Sequence, residues 1–518
     1  MHDRAECARS QIPCSSGSGL DEFFARRLGG PCIHFSRLTM NSTQPIHWIR
    51  RRLLTTCGTL LAAGLPNLAT SQQPFHDSDD TQLAQRVAWA DGSEDPVTLA
   101  GHQSSCDRSQ GMACDSMAGS SAGASGVGSS CLGYWWMGGE SAIRKDYATN
   151  GITLQNNVTQ FYYGVARGGV DEMFNYAGHG DYLMNVDFQK LGGMQGQFLK
   201  MRTEHRFGES LREGTGTILP PNLAADLPTT ETNHLYITNL TFMQFLSESF
   251  GLFAGKVDTL DGDLNAFASG RGIHQFSNAA FVVTPLGLRT IAYSTLGAGF
   301  VVLQDGEPIF TFSALNARDT TRTSGFDELF ADGIVLCPEL RLPTNFFGLP
   351  GHQLFGGTWS SRDYASLDFP PTVILPNVPI PRASDSWSLY WNCDQYLVVD
   401  PNDSKRGWGY FARAGFADPH TNPIDWFASA GLGGNSNLFG RAYDTFGIGY
   451  YYAGLSNDLS PWLGTALGGL GAGQGVEVFH NFAVSPRLFI TADTQYLVPS
   501  REAIDDSIVV GLRANLKF

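Results

Sequence analysis

The chain has 518 residues, of which 16% are charged and 12% aromatic, and 60 are glycine. Soluble domains carry about 25% charged residues and about 7% glycine, and disordered chains combine high charge with few aromatics, so the composition excludes disorder and a coiled coil. The net charge of −15 repels phosphates, and we expect no nucleic acid partner.

No stretch reaches the ~18 consecutive apolar residues that a membrane-spanning helix needs. The longest candidate, Leu53–Leu65, has 13 residues and is interrupted by threonines. Two classes of protein remain compatible with a glycine-rich, aromatic-rich chain of low charge. One is a secreted β protein, and the other is a membrane β-barrel.

Residues 40–71 have the features of a secretory signal peptide. Arg50, Arg51 and Arg52 precede the apolar stretch, and small residues allow cleavage after Ser71. Because Met40 is a natural start, we interpret residues 1–39 as an upstream extension of the reading frame. Residues 1–71 carry eight Arg and four acidic residues, so removing their +4 from −15 leaves −19 on the mature chain.

A flexible polar linker is predicted over residues 72–131, which contain a Gly/Ser tract at 119–130. Residues 119–123 match the G-x-S-x-G motif of hydrolases, but that motif needs a buried strand before it and a helix after it. Neither is predicted, and we assign no catalytic residue. Residues 132–151 are predicted to form a short periplasmic segment with a helix at Ser141–Ala148, which ends at Asn150-Gly151.

From Ile152 to the C-terminus the sequence alternates in polarity over segments of about ten residues that turn residues separate, the pattern of a transmembrane β-barrel. The fold class predicted for residues 152–518 is therefore all-β, an antiparallel barrel of sixteen strands preceded by the short helix. The predicted strands are 152–165, 181–190, 196–207, 234–247, 251–258, 279–284 with 290–303 as one broken strand, 308–316, 332–342, 351–361, 386–399, 407–417, 424–433, 444–454, 475–484, 487–498 and 507–518.

The last strand shows the alternation most clearly. Ile508, Leu512 and Phe518 lie on one apolar face, and Arg513 and Lys517 lie on the other. A barrel wall needs these two faces because lipid excludes charge while a water-filled lumen accepts it. Closing the sheet also pairs every backbone N–H and C=O group, as hydrocarbon requires. A C-terminal aromatic such as Phe518 is typical of bacterial outer-membrane barrels, in which the barrel-assembly machinery recognises it.

From about Trp135 onward the chain resembles the carbohydrate-selective porins of the OprB type. The resemblance implies a sixteen-stranded outer-membrane porin of a Gram-negative bacterium that admits sugars. Met137 and the 72–131 extension depart from the family pattern. The matching segments are Gly138-Gly139, Arg144, Gly151-Ile152, Gly255–Asp258, Phe276–Asn278, Leu296–Gly299, Phe326–Ile334, Gly440–Tyr450, Glu477, Asp493–Tyr496, Arg513 and Phe518.

A porin needs a constriction whose polar groups replace part of the hydration of a solute. The connection Thr259–Asn278 is long enough to be functional, and we expect it to fold into the lumen as that constriction; the alternative is a solvated outer loop. The lumen candidates are Arg202, Glu204, Arg206, Lys256, Asp258, Asp261, Asp263, Arg271, His274, Arg413, Arg441, Asp444, Glu477, Asp493, Gln495 and Arg513.

No metal site or cofactor is predicted. The histidines have no i, i+4 partner, and five cysteines without C-x-x-C spacing remain after residue 71. Whether they form disulfides stays open. They are Cys106, Cys114, Cys131, Cys337 and Cys393.

The function that these features favour is diffusion of sugars and other small hydrophilic solutes through an outer-membrane porin. One alternative is an outer-membrane barrel with an enzymatic or adhesive role, although no convergent catalytic set is found. The other is a soluble secreted β-rich binding protein. The preferred sugar and the oligomeric state, monomer or homotrimer, do not follow from the sequence.

Overall fold

The computed structural model describes residues 142–374, 377–401, 403–436, 441 and 443–518, and all statements below concern these residues. The predicted signal and linker, and three of the five cysteines, lie outside them. The strands are β1 Ile152–Gly169, β2 Phe174–Asp187, β3 Gln197–Gly208, β4 Tyr236–Ser247, β5 Phe250–Asp258, β6 Ser294–Gln304, β7 Glu307–Asn316, β8 Ile334–Phe346, β9 Leu349–Ala365, β10 Arg382–Asp400, β11 Asp403–Ala417, β12 Ile424–Ser436, β13 Asp444–Leu455, β14 Gly473–Ala483, β15 Leu488–Val498 and β16 Asp505–Lys517.

Helical structure is confined to short pieces. Within the described residues, no helix is long and apolar enough to cross a membrane. The α-helices are α1 Ala142–Thr149, α2 Ala279–Val282 and α3 Pro461–Ala466, and the 3₁₀ turns are Ala224–Asp226, Thr259–Gly262, Gly270–Gly272, Pro285–Arg289, Phe326–Glu328 and Pro371–Ile374.

The sixteen strands form one closed antiparallel barrel, in which each strand pairs with its neighbours in sequence and β1 pairs with β16. The closing pair is in continuous register from Asn157 opposite Lys517 to Val165 opposite Val509. Because every strand is paired on both sides, the wall presents no open sheet edge to its surroundings. The predicted fold class and strand number are confirmed.

The wall is apolar outside and polar inside. On β16, Leu512 is 55% exposed on the outer face, whereas Arg513 is fully buried on the inner face. The same arrangement is found around the barrel, since exposed Leu, Ile, Phe and Trp side chains alternate with buried polar side chains. Such a surface suits hydrocarbon around the barrel and water within it.

The two ends of the barrel differ in the length of their connections. Two-residue turns join β4 to β5, β6 to β7 and β8 to β9 at one end, called the turn end. At the opposite loop end the connections are long, including residues 209–235, 259–293, 317–333 and 456–472. In outer-membrane barrels the short turns are periplasmic and the long loops extracellular.

One predicted strand segment is wrong. Residues 279–284 were expected to form part of a strand, but 279–282 are the helix α2, which is buried throughout. The side chain of Asn278 caps this helix by accepting a hydrogen bond from the N–H of Ala280. A short apolar run does not distinguish a buried helix from a strand by periodicity alone, which explains the error.

Replacing Leu512 with Arg should lower the free energy of unfolding in phospholipid vesicles by about 2–4 kcal/mol, because the charged side chain must enter hydrocarbon near the middle of β16. Urea titration followed by tryptophan fluorescence measures the change. The matched control is Phe347→Arg, since Phe347 is fully exposed in the β8–β9 turn; there the change should stay below about 0.5 kcal/mol. Equal effects of both substitutions would contradict a lipid-facing Leu512.

Candidate functional site

The connection between β5 and β6, residues 259–293, enters the lumen and is called the inner loop. Its Asn265 donates a hydrogen bond to Asn392 Oδ1 on β10 at 2.7 Å. At its far side Arg513 on β16 donates to the carbonyl of Gly272 at 2.7 Å. Since the loop leaves and re-enters the wall at β5 and β6, these contacts mean that it crosses the barrel interior.

Aromatic packing holds the inner loop against β11, β13 and β14. Phe276 and Phe281 of the loop contact Phe411, Phe479 and Tyr451 of the wall, with ring centroids 4.7–6.0 Å apart within the cluster. Glycines on β13 make the room, because a Cβ at 447 or at 449 would lie 2.7 Å from a loop ring. Such aromatic pairs add about 0.5–1.5 kcal/mol each beyond the area they bury.

Inner-wall charges satisfy the backbone of the inner loop on the same side. Glu477 accepts hydrogen bonds from peptide N–H groups, whereas Arg413 and Arg513 donate to peptide carbonyls, so each side chain meets the complementary backbone dipole. These three side chains are therefore engaged in holding the loop. The bonds are Ser277 N–H to Glu477 at 2.6 Å, Asn278 N–H to Glu477 at 2.9 Å, Arg413 to the carbonyls of Ala268 and Phe281, and Arg513 to those of Gly272 and Gln275 at 2.7 Å.

Polar side chains extend this attachment. Asp493 accepts a hydrogen bond from the hydroxyl of Ser277 at 2.8 Å. Gln495 accepts one from the side-chain amide of Asn278 at 3.0 Å. Asp263, on the loop itself, is 2.8 Å from Arg413. Asp493 and Gln495 therefore lie inside the barrel on the side that the loop fills, whereas Asp263 also lines the open part of the lumen.

A second group of charges, called the charged cluster, joins the inner loop to β2, β3 and β5. Three cations meet four carboxylates, all of them at most 13% exposed in their side chains, and His179 lies 3.1 Å from Glu204. The cations are Lys200, Arg202 and Arg271, and the carboxylates are Asp181, Glu204, Asp258 and Asp261.

Arg271 is the centre of the charged cluster. Its guanidinium lies 2.7 Å from Glu204, 2.9 Å from Asp258 and 3.0 Å from Asp261. Burial by itself would lower the pKa of Arg271, but Asp258 and Glu204 raise it well above its ordinary value. Burial likewise opposes ionisation of Asp261, yet Arg202 and Lys200 outweigh it and lower its pKa. Both loop residues are therefore charged.

The rest of the lumen contains a cavity of about 490 Å³ between the inner loop and the wall from β3 to β10. Its polar lining includes Lys200, Asp261, Glu339, Arg341 and Tyr390. The hydroxyl of Tyr390 donates to Glu339 at 2.7 Å. This arrangement leaves a passage bordered by paired charges, hydroxyl groups and amides.

Some residues of this site were not predicted from the sequence. His179 was missed because the second strand was expected at 181–190, whereas β2 is Phe174–Asp187. Asp181, the first residue of the expected strand, was not among the lumen candidates either. Glu339 and Arg341 alternate with the exposed Leu340 and Leu342 on β8, so the alternation rule applied to that strand would have identified them.

Three predicted lumen residues do not face the lumen, and Lys256 is the clearest case. It lies opposite Leu240 and Leu296, and Leu240 lies opposite Met201, on the outer face. Its ammonium donates to the carbonyls of Thr320 and Thr323 at 2.7 and 2.8 Å. The prediction placed it on the face of Asp258, but β5 ends at Asp258, and the turn that follows, rather than the pleat, directs that carboxylate inward.

Arg441 and Asp444 also lie away from the lumen, at the turn end. Asp444 is 2.7 Å from Arg441 and 3.3 Å from His480. The inner face at this level is occupied by Thr445, which accepts a hydrogen bond from Asn481. Asp444 thus falls on the opposite face of β13, and the pair stabilises a turn.

The remaining predicted residues lie at the two ends of the lumen. Arg206 donates to the carbonyl of Thr230 in connection 209–235 at 3.4 Å. His274 of the inner loop packs near Phe489, and burial, with Lys517 and Arg513 nearby, lowers its pKa well below the ordinary value. Phe518 donates its backbone N–H to Asn156 at 3.0 Å.

Among the described residues, no group of three or more His, Cys, Asp or Glu is arranged to hold a metal ion. Cys337 and Cys393 are both buried and free. The site therefore consists of ion pairs, amides, hydroxyls and apolar side chains.

Comparison with known proteins gives one sequence family and several barrels. The model of the carbohydrate-selective porin, OprB family, matches residues 171–518. A high-pH structure of OprB from Pseudomonas putida is similar with a TM-score of 0.64 and 18% identity, covering 74% of this chain and 98% of that one. The outer membrane channel DcaP of Acinetobacter baumannii has a TM-score of 0.42 and 10% identity, covering 71% and 97%. No curated protein shows a significant match.

Replacing Arg271 with Ala should loosen the inner loop, because Glu204, Asp258 and Asp261 would lose a shared cation. Breaking a buried ion pair costs about 3–5 kcal/mol, so the opening free energy of residues 265–290 should fall by that order in hydrogen–deuterium exchange. Arg322→Ala is the control, since Arg322 and Glu231 form an exposed pair, 49% and 45% open, worth about 0–1 kcal/mol. Unchanged exchange in the Arg271 variant would refute the anchoring role.

Proposed function

The chain belongs to the OprB family of carbohydrate-selective porins, and on that basis we propose that it carries neutral sugars and similar small hydrophilic solutes by diffusion. The protein is an outer-membrane porin with a sixteen-stranded barrel. The observation that supports the solute class is the lumen cavity, whose polar lining offers amides, hydroxyls and paired charges rather than a field of one sign. Such groups replace the hydration of sugar hydroxyls without binding one ion tightly.

The inner loop forms the constriction in this proposal. It fills one side of the lumen and leaves the cavity beside β3 to β10 as the path. Lys200 and Asp261, 2.8 Å apart, border that path. Residues such as Arg413 and Glu477 act indirectly, because they hold the loop in place.

We propose that residues 40–71 direct export and that Phe518 serves as the assembly signal at the end of β16. The support for the second point is its position after a strand whose outer face is apolar. The family and fold are known as channels rather than enzymes, which disfavours the enzymatic alternative.

Liposomes containing the protein should swell in isosmotic glucose, and swelling should slow progressively for a disaccharide and a trisaccharide, because larger solutes lose more freedom beside the inner loop. Light scattering measures the rates. A mobility shift between unheated and boiled samples on a detergent gel confirms that the barrel is folded. Folded protein that admits none of these sugars would refute the proposed function.

Lys200→Ala and Lys256→Ala form a matched pair that tests the position of the path. Lys200 lines the cavity, whereas Lys256 lies on the outer face. In planar bilayers under a KCl gradient, the Lys200 variant should shift the reversal potential toward cation selectivity, because Asp261 loses a counter-ion. The Lys256 variant should behave as wild type. A shift in the second variant alone would place the ion path elsewhere.

A further inference from the structure

One side of the lumen cavity is apolar, and its wall portion is called the apolar strip: Met243, Phe245, Phe253, Val257 and Val301. All five are half-buried, so each keeps part of its surface open. They belong to neighbouring strands of the inner face, since Met243 lies opposite Phe253, and Gly251 lies opposite both Phe245 and Val301. The strip is thus a continuous patch rather than scattered side chains.

Two glycines let the phenyl rings of this strip lie flat against the wall. A Cβ on Gly251 would lie 2.6 Å from the ring of Phe245, and one on Gly299 would lie 2.5 Å from the ring of Phe253. Each ring therefore covers a glycine of the adjacent strand and keeps part of its surface open in the cavity. A flat phenyl face is a surface on which another ring stacks.

The inner loop contributes a second apolar surface to the same cavity. Leu260, Leu264, Leu288 and Ile291 line it. Leu288 is 47% exposed, which is unusual for a large apolar side chain inside a barrel. Apolar area left open to water in a concave site is a recurrent mark of a binding surface.

Polar groups line the same cavity, both on β4 and on more distant strands. Asn239 carries an amide, and Tyr390 carries a hydroxyl bonded to Glu339. Lys200 is paired with Asp261. The lumen cavity between the apolar strip and the inner loop is called the slot. A solute in the slot meets hydrogen-bonding groups and an apolar surface together, but few charges without a partner.

We propose that the slot favours neutral solutes that join a hydroxyl-rich group to an aromatic or alkyl group, with aryl glycosides as the representative class. The proposal rests on the function proposed above and names the solutes that this lumen takes best. The apolar part of such a solute covers the apolar strip and Leu288, which releases water from both surfaces. The hydroxyl groups exchange their water for contacts with the amide of Asn239 and the hydroxyl of Tyr390. Contact of this kind stays weak enough for release.

Uptake of phenyl β-glucoside and methyl β-glucoside into liposomes tests the proposal. Sieving by size alone makes the bulkier phenyl compound slower, whereas the slot should admit it at least as fast as the methyl compound. Protein-free liposomes give the leak through lipid, which is subtracted. Leu288→Gln and Val301→Thr should each lower the phenyl-to-methyl ratio by about fourfold, the effect of losing contact with roughly one methylene group.

Ile218→Gln is the matched control, because Ile218 is 39% exposed in connection 209–235 and does not line the cavity. It should leave both rates unchanged, and gel mobility of unheated samples shows that each variant is folded. A phenyl compound slowed as its size dictates, or a ratio that neither slot variant lowers, overturns the inference while methyl glucoside entry upholds the porin function. Failure of both glucosides to enter overturns the porin function itself.

Discussion

Arg271 reaches the interior of the barrel on a loop and there meets Glu204, Asp258 and Asp261 within 3.0 Å. Carboxylates that are this close and this buried repel one another, and cations among them offset that repulsion. The wall supplies Arg202 and Lys200 as further cations, and Arg202 also pairs with Asp258 and Asp261, but the guanidinium that pairs with Glu204 comes from the inner loop. The path of the loop and the charge state of the wall therefore depend on each other.

The opposite attachment of the loop follows different physics. There the loop packs its phenyl rings against glycines of β13, and its peptide groups form hydrogen bonds with Glu477, Arg413 and Arg513. Aromatic packing and backbone capture bury the loop on that side, while ion pairs hold it on the other. Because the inner loop is held at both places, it fills one side of the lumen and leaves the other side open.

The architecture was predictable from the sequence because lipid contacts the outer face of the wall and water contacts the inner face. Each strand therefore alternates between apolar and polar residues. The alternation placed Arg202, Glu204 and Arg513 correctly on the inner face. It failed at the end of β5: Asp258 is directed inward by the turn that follows, whereas Lys256 follows the regular register of the strand and lies on the outer face. It also did not reveal α2, since four buried apolar residues fit a helix and a strand equally well. The apolar strip was not predicted, because the sequence does not show which apolar face of β4 to β6 is turned to lipid.

The apolar strip affects which solutes the channel selects. Most charges of the inner wall are used to hold the loop, as Arg413 and Glu477 illustrate, so they are not available to a passing solute. What a solute meets instead is the unfilled side, where Phe253 and Leu288 lie in the same cavity as Tyr390. Selectivity in such a lumen arises from how well a neutral molecule replaces water on apolar and hydrogen-bonding surfaces at once. Ion pairs in the wall fix the position of the inner loop and so the shape of the passage. The apolar and hydrogen-bonding surfaces of the slot determine which solutes pass.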